Sequence, residues 1–220
     1  DIRKAIAFLK TNQFIDNAIP EYYAYLDYIP NDQYYPYNWG HNNTAQYCCQ
    51  EPGEGVGLVG FDSNAEAAWN DTQGLGTASV VIAILDTGVD LTHPDLRLVP
   101  GYDFGDNDPD PSDNSNSPGH GTCCAGIAAA KGNNVIGVTG IAAGCSVMPL
   151  KVADYNGNLE WTYITNALTY AADNGADIIS MSFGTSLDFA AIPTTDIAIR
   201  YAYNQGLVLF GSSGNSNMQK

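Results

Sequence analysis

The spacing of apolar residues divides the chain into two parts, with the change near residue 65. In the first part Ile2, Ala5, Ile6 and Leu9 recur three or four positions apart, which predicts an amphipathic helix over residues 2–10. Residues 14–26 are rich in Tyr and Ile and read as a strand running on into an extended tail. Residues 31–57 mix Pro, Gly and Asn without a period and read as surface loop. Beyond residue 65 a β/α alternation takes over. Residues 80–85, Val-Val-Ile-Ala-Ile-Leu, form an unbroken apolar run with β-branched members, the mark of a strand buried on both faces. Residues 120–130 are small and apolar and suit a closely packed helix. Strands are predicted at 146–152, 177–181 and 206–210, with helices at 162–174 and 197–205 between them. This order predicts an α/β fold: a three-layer, doubly wound, mostly parallel sheet with helices on both faces. Sites in such sheets form at the carboxyl ends of strands, which points to Asp86, Ser182 and Asn215. No internal repeat is present.

Length and charge narrow the picture. A chain of 220 residues, 45% hydrophobic, can bury one sizeable core. Its 24 acidic and 8 basic residues give a formal charge of −16, a field that repels nucleic acid and anionic lipid. No apolar run approaches the roughly 18 residues of a membrane span. A monomer is expected. The chain begins at Asp1 without a leader and stops at Lys220 after a Gly/Ser/Asn-rich turn, so a fragment of a longer precursor is expected. Five cysteines, Cys48, Cys49, Cys123, Cys124 and Cys145, lack the C-x-x-C spacing of a zinc site. An odd number leaves one thiol free or paired beyond this sequence, and the connectivity stays open.

Asp86 directly follows the apolar strand, where a buried carboxylate is costly unless a donor or cation engages it. His120 lies at a helix start between Gly119 and Gly121, which allow close approach of other segments. An Asp that orients a His, which takes a proton from a hydroxyl, is the logic of a serine-protease triad. Singly, each residue has an ordinary reading as a turn former or a structural histidine. Together they stand in an ordered set: Asp86-Thr87-Gly88, His120-Gly121-Thr122 with Cys124-Ala125-Gly126-Ile127, Ser180-Met181-Ser182-Phe183-Gly184, and Ser213-Gly214-Asn215. Lesser blocks are Pro30–Tyr34, Ala65–Trp69 and Gly132–Val138. From about residue 31 to 215 the chain resembles the subtilisin-like serine proteases, and among them the thermitase-like members.

The resemblance implies roles. Asp86 would hold the imidazole of His120, the general base, and Asn215 would offer its amide to the oxyanion. Ser182, Phe183 and Gly184 would pair with extended polypeptide substrate. Ser212, Ser213 and Gly214 would wall the primary specificity pocket, and Gly157 and Trp161 a more distal one. The nucleophilic serine of the family lies in a Gly-Thr-Ser-Met block downstream of the Asn. Gly184-Thr185-Ser186-Leu187 precedes Asn215 and is read as a loop, so the fragment is expected to be inactive. Calcium is the implied cofactor. Asp32, Asp95 and Asn134, with carbonyls of Gly132, Ile136 and Val138, match one site of the family; Asp103, Asp106, Asp108 and Asp110 resemble a second. Residues 1–28 resemble the end of an inhibitory propeptide, the chain's own partner, and 29–220 the front of the catalytic domain. A secreted zymogen is the implied whole. Cys123 departs from the family, which has His there; Cys124 matches a thiol of the thermitase-like members. Two rivals stay open, a pseudoprotease that binds peptides and a calcium-stabilised structural domain.

Overall fold

A computed structural model of the chain describes residues 1–20, 28–47, 57–72, 74–184 and 192–215. The apolar run after residue 79 becomes β1 (Val81–Asp86), whose alternate side chains enter two different cores. Ile82 and Ile84 face one side, with Val147 and the small residues Ala125 and Ala129 of α3 (His120–Ala129). Ala83 and Leu85 face the other, with Met148 and Leu150 of β3 (Ser146–Lys151). That second core is closed by α4 (Trp161–Asp173) through Ile164, Ala167 and Leu168, and by α5 (Pro193–Asn204) through Ala198 and Ala202. A fully buried Leu or Ile of this kind is worth about 1.5–3 kcal/mol.

β1 pairs in parallel with β3, from Val81 opposite Ser146 to Asp86 opposite Lys151, and with β4 (Ile178–Met181). The short β2 (Tyr102–Asp103) lies outside β3, and β5 (Val208–Gly211) outside β4. The order is β2-β3-β1-β4-β5, all parallel, with α3 on one face and α4 and α5 on the other. The predicted doubly wound sheet is therefore present. After β1 the chain first builds the β3 side and then returns to build the β4 side. The carboxyl end of β1 is thus the switch point, where loops diverge and leave a crevice.

Four local expectations are modified. α5 begins four residues before its predicted start, because Pro193 supplies the fixed φ of a first helical turn and Asp196 stands in that turn. β2 was not foreseen; a Tyr-Asp pair carries no strand period. α1 (Ile2–Leu9) forms, capped by the Asp1 carboxylate, but Ile2, Phe8 and Leu9 are exposed. Residues 14–20 of the predicted strand are not strand, and 21–27 lie outside the described residues.

The expected surface loop at 31–57 proves partly internal. Tyr35, in a 3-10 turn (Tyr35–Tyr37), packs with Ala65 and Trp69 of α2 (Ala65–Thr72), Leu75 and Ala143. Its hydroxyl donates to Glu66 Oε1 at 2.5 Å, and burial beside that carboxylate holds the phenol well above its ordinary pKa. A loop can enter a core when its polar atoms find such partners. Cys48, Cys49 and Ser186 lie outside the described residues.

Candidate active site

The carboxyl end of β1 delivers Asp86, only 4% exposed, to the crevice. Its Oδ1 accepts the Thr87 backbone N–H at 2.8 Å and meets His120 Nδ1 at 2.6 Å. A carboxylate in contact fixes the tautomer: Nδ1 carries the proton, and Nε2 keeps its lone pair. The imidazole itself is 57% exposed, so that lone pair is open to an incoming hydroxyl. Two glycines make this contact sterically possible. Gly119, immediately before α3, has φ +119°, which a side chain would resist. A Cβ on Gly121 would collide with the Gly88 carbonyl and crowd Asp86. The Asp-Thr-Gly and His-Gly-Thr motifs are therefore two halves of one packed junction.

The other predicted segments gather along the same edge of the sheet. Cys124, one helical turn after His120, places Sγ 3.9 Å from His120 Nδ1, and burial pushes its thiol pKa up. Ser182–Gly184 continues from β4, and the Ser212 amide and hydroxyl donate to Met181 and Phe183 carbonyls, joining the ends of β4 and β5. Ser212, Ser213, Gly214 and Asn215 follow β5 and are exposed. Gly157, at φ +81°, lies in a turn closed by Asp154 and Asn158. That turn is tied to the loop before His120 by the Asn116 N–H to Tyr155 carbonyl bond. Trp161 is half-buried against the α4 core. Among the described residues Cys123, Cys124 and Cys145 are free thiols, so no disulfide involves Cys145.

A second group lies away from this crevice. Asp32 and Asp95 are 3% and 1% exposed and converge on the loop Gly132–Val138. Asp32 accepts the Asn133 and Asn134 amides and the Thr139 hydroxyl. Asp95 accepts the Asn134 side-chain amide at 2.6 Å and the Val138 N–H at 3.2 Å. Two buried carboxylates thus meet at Asn134, whose side-chain oxygen accepts the Ile136 N–H, and carboxylates of this kind are the oxygen ligands a hard cation takes.

The carboxylates of the acidic loop 103–112 have partners within the chain. Asp103 is fully buried and bonds Lys151 Nζ at 2.6 Å, while its other oxygen accepts the Gly105 and Asp106 amides. Asp106 lies 3.5 Å from the same ammonium. Asp108 and Asp110 are exposed and accept amides of their own turns. Among the described residues no three of these carboxylates bring oxygens within 4.8 Å of one another. The cation at Asp103 is Lys151, and Asp106 stands at the edge of the same pair. The signal was a lone Lys at the end of an apolar strand, a position that requires a counter-charge.

Comparison with known proteins agrees with this geometry. The subtilase family profile matches residues 77–220. A thermophilic serine proteinase from a Bacillus species is 36% identical over 219 residues, 98% of this chain and 48% of that protein. Thermitase of Thermoactinomyces vulgaris is 39% identical over 191 residues, 86% of this chain and 59% of its own. Among solved structures, a protease of Pseudoalteromonas arctica superposes with a TM-score of 0.65 at 28% identity, covering 86% of this chain and 60% of that one. The chain thus spans about half the length of the relatives it matches. With the profile covering most of its length and an Asp–His pair seated where a parallel sheet places its site, the chain belongs to the subtilase family of serine peptidases.

Proposed function

We propose that the full-length protein is a serine endopeptidase acting on polypeptides, and that this chain supplies every part of its centre except the nucleophile. The observation that carries the reading is the 2.6 Å contact between a buried carboxylate and an exposed imidazole. His120 Nε2 takes the proton from a serine hydroxyl carried downstream of residue 220; the oxygen attacks the peptide carbonyl, and His120 returns the proton to the leaving amine. Asp86 keeps the imidazole oriented and stabilises the imidazolium. Asn215 donates its amide to the developing oxyanion, a contribution of about 10²–10³ in turnover for a donor of this type. Ser182, Phe183 and Gly184 pair with extended substrate, since main-chain hydrogen bonds hold many sequences. Ser212, Ser213 and Gly214 wall the primary pocket, and Gly157 and Trp161 a distal one. Residues 1–28 are the end of a propeptide, and 29–220 the front of the catalytic domain of a secreted, monomeric zymogen. No helix among the described residues is long and apolar enough to cross a membrane.

A fluorophosphonate probe tests this directly. The mature full-length protein is expected to be labelled on one serine, with labelling abolished in His120→Ala. An unlabelled, folded protein that still binds peptides would instead establish a pseudoprotease.

One calcium ion is part of the same proposal, held by Asp32, Asp95 and Asn134 with carbonyls of Gly132, Ile136 and Val138. The ion would neutralise two buried carboxylates and stabilise the folded state without entering the reaction. At 100-fold excess over Kd such an ion contributes about 2.7 kcal/mol. Chelation is expected to lower the Tm of the full-length protein, and Asp95→Asn to remove the calcium dependence. A Tm indifferent to calcium in the wild type would overturn the site.

A further inference from the structure

The mechanism uses Asp86 and His120 but does not explain what sets the gap between the two elements that carry them. Asp86 ends a strand and His120 begins a helix, with 33 residues between them. The contact is short enough that a shift of a few tenths of an ångström in either element would change it. One side chain outside the proposed catalytic set spans the junction.

Asp113 stands in the loop that runs from β2 to α3. Its Oδ2 accepts two donors at once: the Thr87 hydroxyl at 2.8 Å and the Gly119 N–H at 2.7 Å. Thr87 is the residue after Asp86, and Gly119 the residue before His120. The bridge is closed again from the helix side, where the Gly121 N–H donates to Thr87 Oγ1 at 3.1 Å. The remaining oxygen, Oδ1, accepts the Ser115 hydroxyl at 2.8 Å. The loop backbone is laid along β1's exit by the Val89 N–H to Pro111 carbonyl and Asp113 N–H to Val89 carbonyl bonds. A Cβ on Gly88 would strike this same backbone at Ser112 and Asp113, so the approach depends on glycine. Charge suits the position as well, because Asp113 accepts the Gly119 amide at the start of α3, where a helix favours an anion.

We infer that Asp113 is a positioning residue for the Asp86–His120 pair, acting through Thr87 and the Gly119 amide. One oxygen accepts the hydroxyl and the amide at a single point, while the second accepts from Ser115. An asparagine can keep that point with its amide oxygen and donate its NH₂ to the Ser115 hydroxyl oxygen, so the informative change removes the acceptor altogether. Asp113→Ala leaves the bridge unmade and lets the strand end and helix start separate. The inference rests on the peptidase reading for its kinetic consequence and on geometry alone for its structural one.

The test uses the full-length protein and two readouts. Asp113→Ala is expected to lower kcat by about 10- to 100-fold, the scale of a misplacement near 1 Å, with KM changed less than about twofold. In proton NMR, the low-field resonance of the Nδ1 proton shared with Asp86 is expected to move upfield and exchange faster. Thr87→Val, which removes the hydroxyl from the same bridge, should match it, and the double variant should lose no more than either single one. Ser115→Ala strips a donor from Oδ1 but leaves the bridge, and is expected to keep kcat within about twofold. An active wild type whose Asp113→Ala variant keeps both its kcat and its low-field resonance would overturn the inference. A wild type unreactive to fluorophosphonate would overturn the peptidase reading instead, and the NMR comparison would still decide the role of Asp113.

Discussion

Asp86→Asn in the full-length protein is expected to lower kcat by about 10⁴-fold while KM stays within about threefold, the scale at which loss of the carboxylate disables a Ser-His-Asp triad. The cause is the tautomer rather than the packing. Asp86 Oδ1 offers its lone pairs to both the Thr87 N–H and His120 Nδ1. In the amide, an NH₂ turned toward the ring demands a lone pair on Nδ1, which moves the imidazole proton to Nε2. The nitrogen facing the nucleophile then has no lone pair to take a proton. The fold should tolerate the change, because asparagine fills the same volume and removes a charge from a site only 4% exposed. The expected pattern is an unfolding midpoint within a few degrees of wild type and a fluorophosphonate labelling rate lowered in proportion to kcat. A loss below about 100-fold would mean that something other than Asp86 orients the ring.

The parts of this centre legible in the sequence are those that local chemistry dictates. An unbroken apolar run has to become a central strand, so Asp86 had to emerge at the carboxyl end of the sheet. The glycines around His120 announced a crowded helix start, and Gly121 against the Gly88 carbonyl accounts for them. Strands β3, β4 and β5 likewise follow from short apolar runs between helical ones. What escaped depends on partners distant in sequence. Asp113 sits in an acidic, Pro-rich stretch where nothing local separates it from Asp108 or Asp110; only the fold brings Thr87 and Gly119 to it. Tyr35 looked like loop surface because Glu66 and Trp69, which satisfy and bury it, lie 31 and 34 residues on. The acidic run 103–110 suggested one shared ion; that Asp108 and Asp110 accept amides of their own turns and that Asp103 pairs with Lys151 was not legible locally.

Lys151 carries the second large expectation. It is fully buried, as is Asp103, and the two are register partners on β3 and β2, with Asp86 in the same row on β1. Breaking such a pair by removing one partner costs about 3–5 kcal/mol, because the other charge remains in the interior. Total stabilities of about 5–15 kcal/mol leave little margin for that, so Lys151→Ala is expected to lose most of its soluble, folded yield. Lys151→Met keeps the length of the stem and isolates the charge effect; its unfolding free energy from urea titration should still fall by about 3–5 kcal/mol. Adding Asp103→Asn removes the orphaned charge yet keeps an oxygen for the Gly105 and Asp106 amides. The double variant should regain at least half of the loss, a non-additivity that a pair merely adjacent would lack. Calcium separates this account from the one the acidic run first suggested. If the loop were built around a divalent ion, millimolar calcium would rescue Lys151→Met. With the ammonium as the resident cation, calcium is expected to raise the midpoints of wild type and variant equally, through Asp32 and Asp95 alone. A selective rescue of Lys151→Met would overturn the assignment.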